Sequence, residues 1–451
     1  MDRLRTCCAA LTALWVFAAP VAATAAPPAG YARGADGVIK AYVDPGVFSG
    51  SVLVAKDGKP VFRKAYGLAD REWNVANTPE TRFRLGSITK QFTATAILQL
   101  AEQGKLSVDD PISKYYPAAP AAWAPITLKH LLTHTSGIPS YTAIPGFFAQ
   151  QARLDKTPDE IIALTRDKPL DFPPGSKYAY DNTGYILLGY VVEKVSGQPY
   201  AAYLQDHIFT PLGMKDTGYD VSDTVLPRRA SGYSVAGGKA KNAAFLAMSL
   251  PYAAGSLYST VDDLLIWDQA LHSGKAIKPA SVAAMFTDYG FKYGFGQSIR
   301  VQKDGRRIWG HNGGINGFST QINHLPDEGL TVIVLANIEQ APSGRIADKL
   351  SSLYFDPSVA TGAGVKPTTA ELERFVGRYQ LAPNLVIAVT HEGEHLFAQA
   401  TNQPKVELFR EAGRTYFVTV APLAMTFADG ASAPEVNVRQ GGKDTVAKRI
   451  D

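Results

Sequence analysis

Strand-like runs lie at both ends of a long first segment of the chain, and helical patterns lie between them. The early runs are 50–55 and 60–66, with Asp57-Gly58 as a turn signal, and the late runs are 318–324 and 330–336. Late strands can close on an early hairpin, so this order fits an antiparallel sheet built from both ends of one domain. The sequence therefore predicts an α+β fold.

Three long helical patterns occupy the middle of this segment. They run from about 87 to 103, from 184 to 195 and from 260 to 271, and glycines follow each of them. A helical middle between two sets of strands places helices against the predicted sheet.

Composition changes at 356–370, where Pro, Gly, Ala and Thr dominate and predict a linker. Short alternating runs separated by turn residues follow it, at 385–389, 395–398, 406–409 and 416–420. We therefore expect a main domain at 36–355 and a small all-β domain at 371–451.

The N-terminus has the pattern of a secretory signal peptide. Basic residues precede an apolar run at 9–19, and a small-x-small site predicts cleavage after Ala25, so that 1–25 would be removed. The apolar run is shorter than the roughly 20 residues that a membrane anchor needs. We expect an exported protein, periplasmic or secreted, whose residues up to about Ala35 are loose.

Charge and cysteine usage exclude several function classes. The net charge is only +4 and no basic run is present, which argues against a nucleic-acid partner. Cys7 and Cys8 lie within the predicted signal peptide, so the mature chain would have no disulfide, thiol nucleophile or cysteine metal site. No later segment is apolar enough for stable membrane insertion after signal cleavage.

The stretch 391–395 matches the His-Glu-x-x-His zinc pattern. That chemistry needs a helix, which brings the two histidines onto one face. Here the stretch lies between two alternating runs, with Gly393 at the expected turn. We therefore predict no metal site there.

Ser87 and Lys90 lie at the start of the first helical pattern. Residues three apart at a helix start share a face, so the amine can reach the hydroxyl. A serine hydroxyl needs a partner that accepts its proton, and partial burial near a helix N-terminus favours a neutral amine. Ser87 is a candidate nucleophile and Lys90 a candidate base, although the spacing also fits an ordinary helical turn with a solvated lysine.

Tyr180 and Asn182 lie on a loop that leads into the second helical pattern. A phenol paired with Lys90 could relay the serine proton, and Asn182 could orient Lys90 and bind a substrate carbonyl. The alternative is a tyrosine that covers the core with its hydroxyl in water.

A glycine-rich segment with a histidine supplies the third candidate element, at His311, Gly313 and Gly314. Glycines let a backbone approach a ligand closely, and strand N–H groups there could form half of an oxyanion hole, with the N–H of Ser87 as the other half. The alternative is a glycine-rich turn with a surface histidine.

Ser-x-x-Lys, Tyr-x-Asn and His-x-Gly, in this order and spacing, resemble the three motifs of the serine β-lactamase and penicillin-binding protein superfamily, class C branch. Segments 131–139 and 254–263 look like further parts of that family, and the resemblance covers 50–337. It implies an antiparallel sheet flanked by helices, with an all-helical subdomain. The tail after Leu372 resembles a small lipocalin-like β domain that could shape the cleft mouth or brace the structure.

The resemblance implies a serine hydrolase that works through an acyl-enzyme, without a metal or organic cofactor. Ser87 would attack a carbonyl, and Lys90 and Tyr180 would share the base role, with the division between them open. The backbone N–H groups of Ser87 and Gly314 would hold the oxyanion. The substrate-binding residues would be Asn182, His311 and Gly313.

The third motif departs from that of the β-lactamases, which usually carry Lys-Thr-Gly where this chain has His311-Asn312-Gly313. The lysine favours a β-lactam carboxylate, whereas a histidine is mostly neutral at pH 7. His-x-Gly occurs in related D-stereospecific peptidases and DD-peptidases, and esterase relatives also depart from Lys-Thr-Gly. We therefore expect an esterase or a D-amino-acid or D-Ala peptidase, with a weaker case for a β-lactamase.

The expected substrate is a small molecule or a peptide, with peptidoglycan-derived fragments as one class. The alternative is a penicillin-binding or peptidoglycan-fragment-binding protein with little or no turnover, in which the three motifs retain binding but not hydrolysis.

Overall fold

The structure is a computed structural model that describes residues 27–236, 239–302, 304–361, 365–421, 423–441 and 443–451. The predicted signal peptide, with Cys7 and Cys8, lies outside the described residues. None of the helices in the described ranges combines the length and the hydropathy needed to cross a bilayer.

Most helices of the described chain lie between the early and the late strands. The α-helices are α1 (Tyr31–Val43), α2 (Thr89–Glu102), α3 (Leu128–Leu132), α4 (Phe147–Gln151), α5 (Pro158–Arg166), α6 (Asn182–Ser196), α7 (Tyr200–Leu204), α8 (Thr210–Leu212), α9 (Tyr252–Gly255), α10 (Val261–His272), α11 (Pro279–Met285), α12 (Ser343–Phe355) and α13 (Thr369–Glu373). A 3-10 turn, Gly86–Ile88, leads directly into α2. Helices α2, α6 and α10 confirm the three predicted ones.

Helix α1 corrects one expectation, because it begins at Tyr31, within the residues that we expected to be loose up to about Ala35. Its buried side chains Ala35, Val38, Ile39 and Tyr42 recur at helical spacing and pack against the sheet and α12. Glycines and alanines around this stripe obscured it in the sequence.

The described strands form one large sheet, a barrel and three small sheets of two or three strands. The strands of the first segment are β1 (Gly50–Lys56), β2 (Lys59–Tyr66), β3 (Leu68–Asp70), β4 (Val75–Ala76), β5 (Phe83–Arg84), β6 (Gly218–Tyr219), β7 (Tyr233–Ala236), β8 (Lys239–Asn242), β9 (Leu257–Ser259), β10 (Ser298–Val301), β11 (Arg307–Ile315), β12 (Phe318–Leu325) and β13 (Leu330–Ala336). The six-stranded sheet has the order β10-β11-β12-β13-β1-β2, and its neighbours are antiparallel. The predicted closure of the late strands on the early hairpin is confirmed.

The central strands are apolar on both faces because helices cover both faces. On β1, Val52 and Val54 point to the side of α1 and α12, whereas Leu53 and Ala55 point to the larger core that contains α2, α6 and α10. All four are fully buried. Alternating side chains therefore divide between two cores, and the sheet acts as the wall between them.

The C-terminal strands confirm the predicted all-β region. They are β14 (Gly377–Ala382), β15 (Leu385–Glu392), β16 (His395–Ala400), β17 (Val406–Ala412), β18 (Thr415–Phe417), β19 (Leu423–Phe427), β20 (Glu435–Gln440) and β21 (Lys443–Arg449), and they form a closed barrel. Large buried side chains such as Tyr379, Tyr416 and Phe427 pack together inside it. The His-Glu-x-x-His stretch lies on the β15–β16 hairpin with Gly393 at its turn, as predicted, so it does not have the helical geometry of a zinc site.

A buried carboxylate joins the barrel to the first segment. Glu411 on β17 accepts a hydrogen bond of 2.7 Å from the hydroxyl of Tyr42 on α1. Its oxygens also lie 3.3 Å from Arg345 and 3.5 Å from Lys349, both on α12. The ring of Phe417 packs with that of Tyr42 at 5.0 Å, so an ionic and an aromatic contact lie side by side at this junction.

Replacing Glu411 should destabilise the protein, because Arg345 and Lys349 would lose the carboxylate that compensates their partly buried charges. We expect Glu411→Gln to lower the free energy of unfolding by about 2 kcal/mol. A lower midpoint temperature of thermal unfolding would show this loss of stability. The matched control is Glu392→Gln, whose carboxylate pairs with Lys405 in an exposed position and should matter by less than about 0.5 kcal/mol. Equal shifts in the two variants would contradict the interpretation.

Candidate active site

Ser87 lies in the 3-10 turn that precedes α2 and is partly exposed, while its neighbours Gly86 and Ile88 are buried. Gly86 has a left-handed backbone, with φ of 56°. A Cβ on Gly86 would lie 2.9 Å from the backbone nitrogen of Gly314. Only glycine combines this backbone conformation with so close an approach of β11. Gly86 therefore lets the turn lie against β11, and the next residue, Ser87, lines the cleft.

Lys90 is fully buried beneath Ser87, on the first turn of α2. Its Nζ lies 3.1 Å from Ser87 Oγ, 2.9 Å from Asn182 Oδ1 and 2.8 Å from the carbonyl oxygen of Ala254. Burial lowers the pKa of Lys90 to about 7, and the negative charge of Asp181 opposes this shift. The amine is therefore close to half neutral at physiological pH.

The partners of Lys90 determine what its neutral form can do. A carbonyl oxygen and an amide oxygen can only accept hydrogen bonds, so Ala254 and Asn182 engage both N–H groups of a neutral amine. The remaining lone pair is left for the third partner, the hydroxyl of Ser87. The arrangement suits transfer of the serine proton to Lys90.

Asn182 has a fixed orientation at the start of α6. Its Nδ2 donates to the hydroxyl of Thr142 at 3.0 Å, and its backbone N–H donates to Ser140 Oγ at 3.1 Å. Its Oδ1 is thereby directed at Lys90. Asn182 also lines the cleft, where one amide hydrogen is left for a substrate.

Tyr180 covers Lys90, whose Nζ lies 4.8 Å from the centre of the tyrosine ring. The side chain of Tyr180 is 39% exposed, yet desolvation of its phenol raises the pKa, and a hydrogen bond with Ser87 opposes that rise. A phenol with a raised pKa keeps its proton at neutral pH and acts as a donor. The sequence analysis left open which of Lys90 and Tyr180 is the base. The geometry favours Lys90 as the proton acceptor.

The third motif lies on β11 alongside the Gly86–Ile88 turn. A Cβ on Gly313 would lie only 1.9 Å from the carbonyl oxygen of Leu85, so this glycine serves the close approach of strand and turn. Gly314 lines the cleft together with Ser87. The backbone groups that sequence analysis paired as an oxyanion hole are thus neighbours.

His311 is buried, with 3% of its surface exposed, and it is not among the described residues that line the cleft. Its Nε2 lies 2.8 Å from the hydroxyl of Tyr293, and its Nδ1 donates to the carbonyl of Asn312. Burial and the nearby charge of Lys90 lower the pKa of His311 to about 4. It is therefore neutral at pH 7, and both of its nitrogens are engaged within the protein.

The cleft beside Ser87 has a volume of about 330 Å³, and no charged side chain is found among the described residues that line it. One exposed aromatic side chain, that of Phe148, stands at its edge. Its apolar wall consists of Tyr141, Phe147, Phe148, Leu246, Leu250 and Ile315. The polar groups are those of Ser87, Thr142, Asn182 and Asn316, all of them uncharged.

Sequence analysis missed three participants: the carbonyl of Ala254, the hydroxyl of Thr142 and the hydroxyl of Tyr293. The first belongs to the segment 254–263, which was noted only through a family resemblance, and a backbone carbonyl has no side-chain signature. Thr142 and Tyr293 lie outside the three motifs, and no spacing pattern indicates them.

Residues 35–354 match the Beta-lactamase family. The chain belongs to this family. The D-aminopeptidase of Brucella anthropi is 29% identical, over 69% of this chain and 59% of that protein. The solved D-stereospecific amidohydrolase from a Streptomyces species is 29% identical, covers 72% of this chain and 99% of its own, and superposes with a TM-score of 0.63. The octameric penicillin-binding protein homologue from Pyrococcus abyssi is 27% identical, covers 92% of this chain and 99% of its own, and superposes with a TM-score of 0.67.

The pKa of Lys90 predicts how acylation of Ser87 should depend on pH. The neutral amine becomes the major form above a pH of about 7, so the labelling rate with a serine-directed acylating probe should rise through that pH and then level off. Burial also raises the pKa of Asp181 to about 7, so the apparent value belongs to the pair.

The variant Asp181→Asn tests this assignment. It removes the negative charge that raises the pKa of Lys90, so the rising limb of the rate profile should move to lower pH. The control Asp167→Asn changes an exposed carboxylate beside Arg166 and should leave the limb in place. A limb that stays in place or moves to higher pH in Asp181→Asn would refute the role of Lys90 as the titrating base.

Proposed function

We propose that this protein is a serine hydrolase that forms an acyl-enzyme on Ser87 and acts on an uncharged ester or amide. The observation that carries the proposal is the set of partners around Lys90. Asn182 and Ala254 accept hydrogen bonds from Lys90, and Nζ lies 3.1 Å from Ser87 Oγ. In the neutral amine this leaves the lone pair for the proton of Ser87.

In the first half-reaction the Ser87 proton passes to Lys90 while Oγ bonds to the substrate carbonyl carbon. The carbonyl oxygen becomes negative and accepts hydrogen bonds from the backbone N–H groups of Ser87 and Gly314. The bond to the leaving group then breaks as Tyr180 donates its phenolic proton to the departing oxygen or nitrogen. Tyr180 recovers a proton from the Lys90 ammonium.

In the second half-reaction water attacks the acyl-enzyme. Neutral Lys90 accepts a proton from the water as its oxygen bonds to the acyl carbon, and the resulting ammonium returns that proton to Ser87 Oγ as the bond to the acid product breaks. Asn182 holds Lys90 in place through both steps, and its remaining amide hydrogen can bind the substrate.

The lack of charged side chains among the described residues that line the cleft supports an uncharged substrate. A β-lactam or a peptide that ends in D-alanine carries a carboxylate near the scissile bond, and the described lining offers it no cation. His311 cannot supply one, because its pKa is about 4. The apolar wall favours an apolar acyl group, and the names of the D-aminopeptidase and D-stereospecific amidohydrolase relatives support a D-configured amide as the second substrate type.

We also propose that the protein is exported, as its N-terminal pattern suggests, and that the barrel braces the hydrolase domain across a linker at 356–370. Barrel residues are absent from the described lining of the cleft. The barrel contacts α1 and α12 through Glu411 instead.

Labelling tests the nucleophile. A fluorophosphonate should add one adduct to the wild-type protein, Ser87→Ala should lose it, and Lys90→Ala should react at least about 100-fold more slowly. Intact-mass spectrometry reads the adduct. The control Ser176→Ala removes an exposed hydroxyl that donates to the carbonyl of Pro173, and it should label normally. An adduct that persists in Ser87→Ala would sink the proposal.

Matched substrates test the charge preference. An N-acetylated D-amino-acid dipeptide with a C-terminal amide should be cleaved with a kcat/KM at least about tenfold above that of the same N-acetylated peptide with a free carboxylate, since an unpaired charge must be desolvated in the cleft. A nitrophenyl butyrate and a chromogenic cephalosporin extend the comparison, and Ser87→Ala gives the background. A preference for the free carboxylate would show that the cleft recognises anions after all.

A further inference from the structure

His134 is a buried residue outside the three catalytic motifs, and its backbone is left-handed, with φ of 57°. Its carbonyl accepts a hydrogen bond of 3.0 Å from the N–H of Ala179. Its ring Nδ1 accepts another, also of 3.0 Å, from the N–H of Asp181. His134 thus accepts hydrogen bonds from the residues on both sides of Tyr180. The imidazole takes the place that a backbone carbonyl of a neighbouring strand would have in a sheet.

The imidazole of His134 also lies against the ring of Tyr180, with 4.3 Å between the ring centres. Further tyrosine rings surround it, those of Tyr185 at 5.1 Å and Tyr293 at 4.8 Å. His134 therefore fixes Tyr180 over Lys90 in two ways: it binds the backbone on either side of Tyr180, and its ring packs against the tyrosine ring.

The hydrogen bonds around His134 fix where each proton lies. Because Nδ1 accepts from Asp181, a neutral His134 carries its proton on Nε2, which donates to the hydroxyl of Tyr293 at 3.3 Å. The Tyr293 hydroxyl then donates to His311 Nε2 at 2.8 Å, and His311 Nδ1 donates to the Asn312 carbonyl. Each group in this series of hydrogen bonds thus donates to the next one, and no two donors or two acceptors face each other.

Charge supports the same assignment. Burial, together with the positive charge of Lys90, lowers the pKa of His134 well below its ordinary value. Burial likewise raises the pKa of Tyr293 well above its ordinary value. Both groups are neutral at physiological pH, as the directed chain requires.

We propose that His134 is a positioning residue that holds Tyr180 against Ser87 and Lys90, and that Tyr293 and His311 keep it in the required tautomer. This inference rests on the proposed serine hydrolase function. It gives the histidine of the third motif a task inside the protein, which is to accept the proton of Tyr293.

A double-mutant cycle with Tyr180 tests the proposal. Glycine tolerates the left-handed backbone, so His134→Gly removes the ring without strain, and Tyr293→Phe removes only a hydroxyl. Each should lower kcat for the best ester of the substrate panel about tenfold, with KM changed by less than about twofold. In a Tyr180→Phe background the same changes should lower kcat by less than about twofold, because the hydroxyl that they position is absent.

Two further variants separate positioning from folding. His134→Asn keeps a side-chain acceptor and tolerates the backbone conformation, so its kcat should exceed that of His134→Gly at least about threefold. Tyr289→Phe removes a hydroxyl that donates to the Ala284 carbonyl, outside the chain of hydrogen bonds, and should leave kcat unchanged. Thermal unfolding confirms that each variant is folded.

The outcomes are distinguishable from a failure of the proposed function. If Ser87→Ala retains the activity, the hydrolase assignment fails and this inference fails with it. If the Ser87-dependent activity is intact in His134→Gly, or if His134→Gly costs the same factor with and without the Tyr180 hydroxyl, only the positioning role is overturned.

Discussion

The active-site architecture depends on an amine that is buried where a positive charge is costly. Water does not reach Lys90, so its hydrogen bonds must come from the protein, and they come from Asn182 at the start of α6 and from Ala254 at the end of α9. Helices α2, α6 and α9 thus meet at one nitrogen atom. The packing of these helices buries the amine, and this burial lowers its pKa towards neutrality, so the packing of the helices and the pKa of Lys90 have a common origin.

The second constraint is the contact between a turn and a strand that are far apart in sequence. Gly86 and Gly313 each face backbone atoms at distances that no Cβ would allow, and the hydroxyl of Thr320 donates to the carbonyl of Leu85 at 2.7 Å. The side of the cleft formed by this contact is therefore made of backbone, and the space beside Gly314 is open, with no atom within 4 Å of where its Cβ would lie. Glycine in the third motif is a steric requirement of this contact, independent of any substrate.

Much of this could be predicted because the relevant signals are local. The spacing of Ser87 and Lys90 places both on one helical turn, and Asp57-Gly58 marks the hairpin that β1 and β2 form. The partners contributed by distant segments could not be predicted, because the carbonyl of Ala254 and the hydroxyl of Tyr293 belong to no periodic pattern. His311 illustrates the same limit: a motif position identified the residue, but only its neighbours show that it is buried and neutral.

The pairing of β1 with β13 joins Gly50 to Ala336, and β11 approaches the Gly86–Ile88 turn from far later in the sequence. A contact of such long sequence separation forms late, after most of the chain is available. During synthesis, the emerging polypeptide thus contains Ser87 and Lys90 long before it contains β11, whose Gly314 and Ile315 line the cleft. The cleft is therefore a product of the complete sheet: a polypeptide that stops short of β11 contains Ser87 and Lys90 but lacks the strand that borders them.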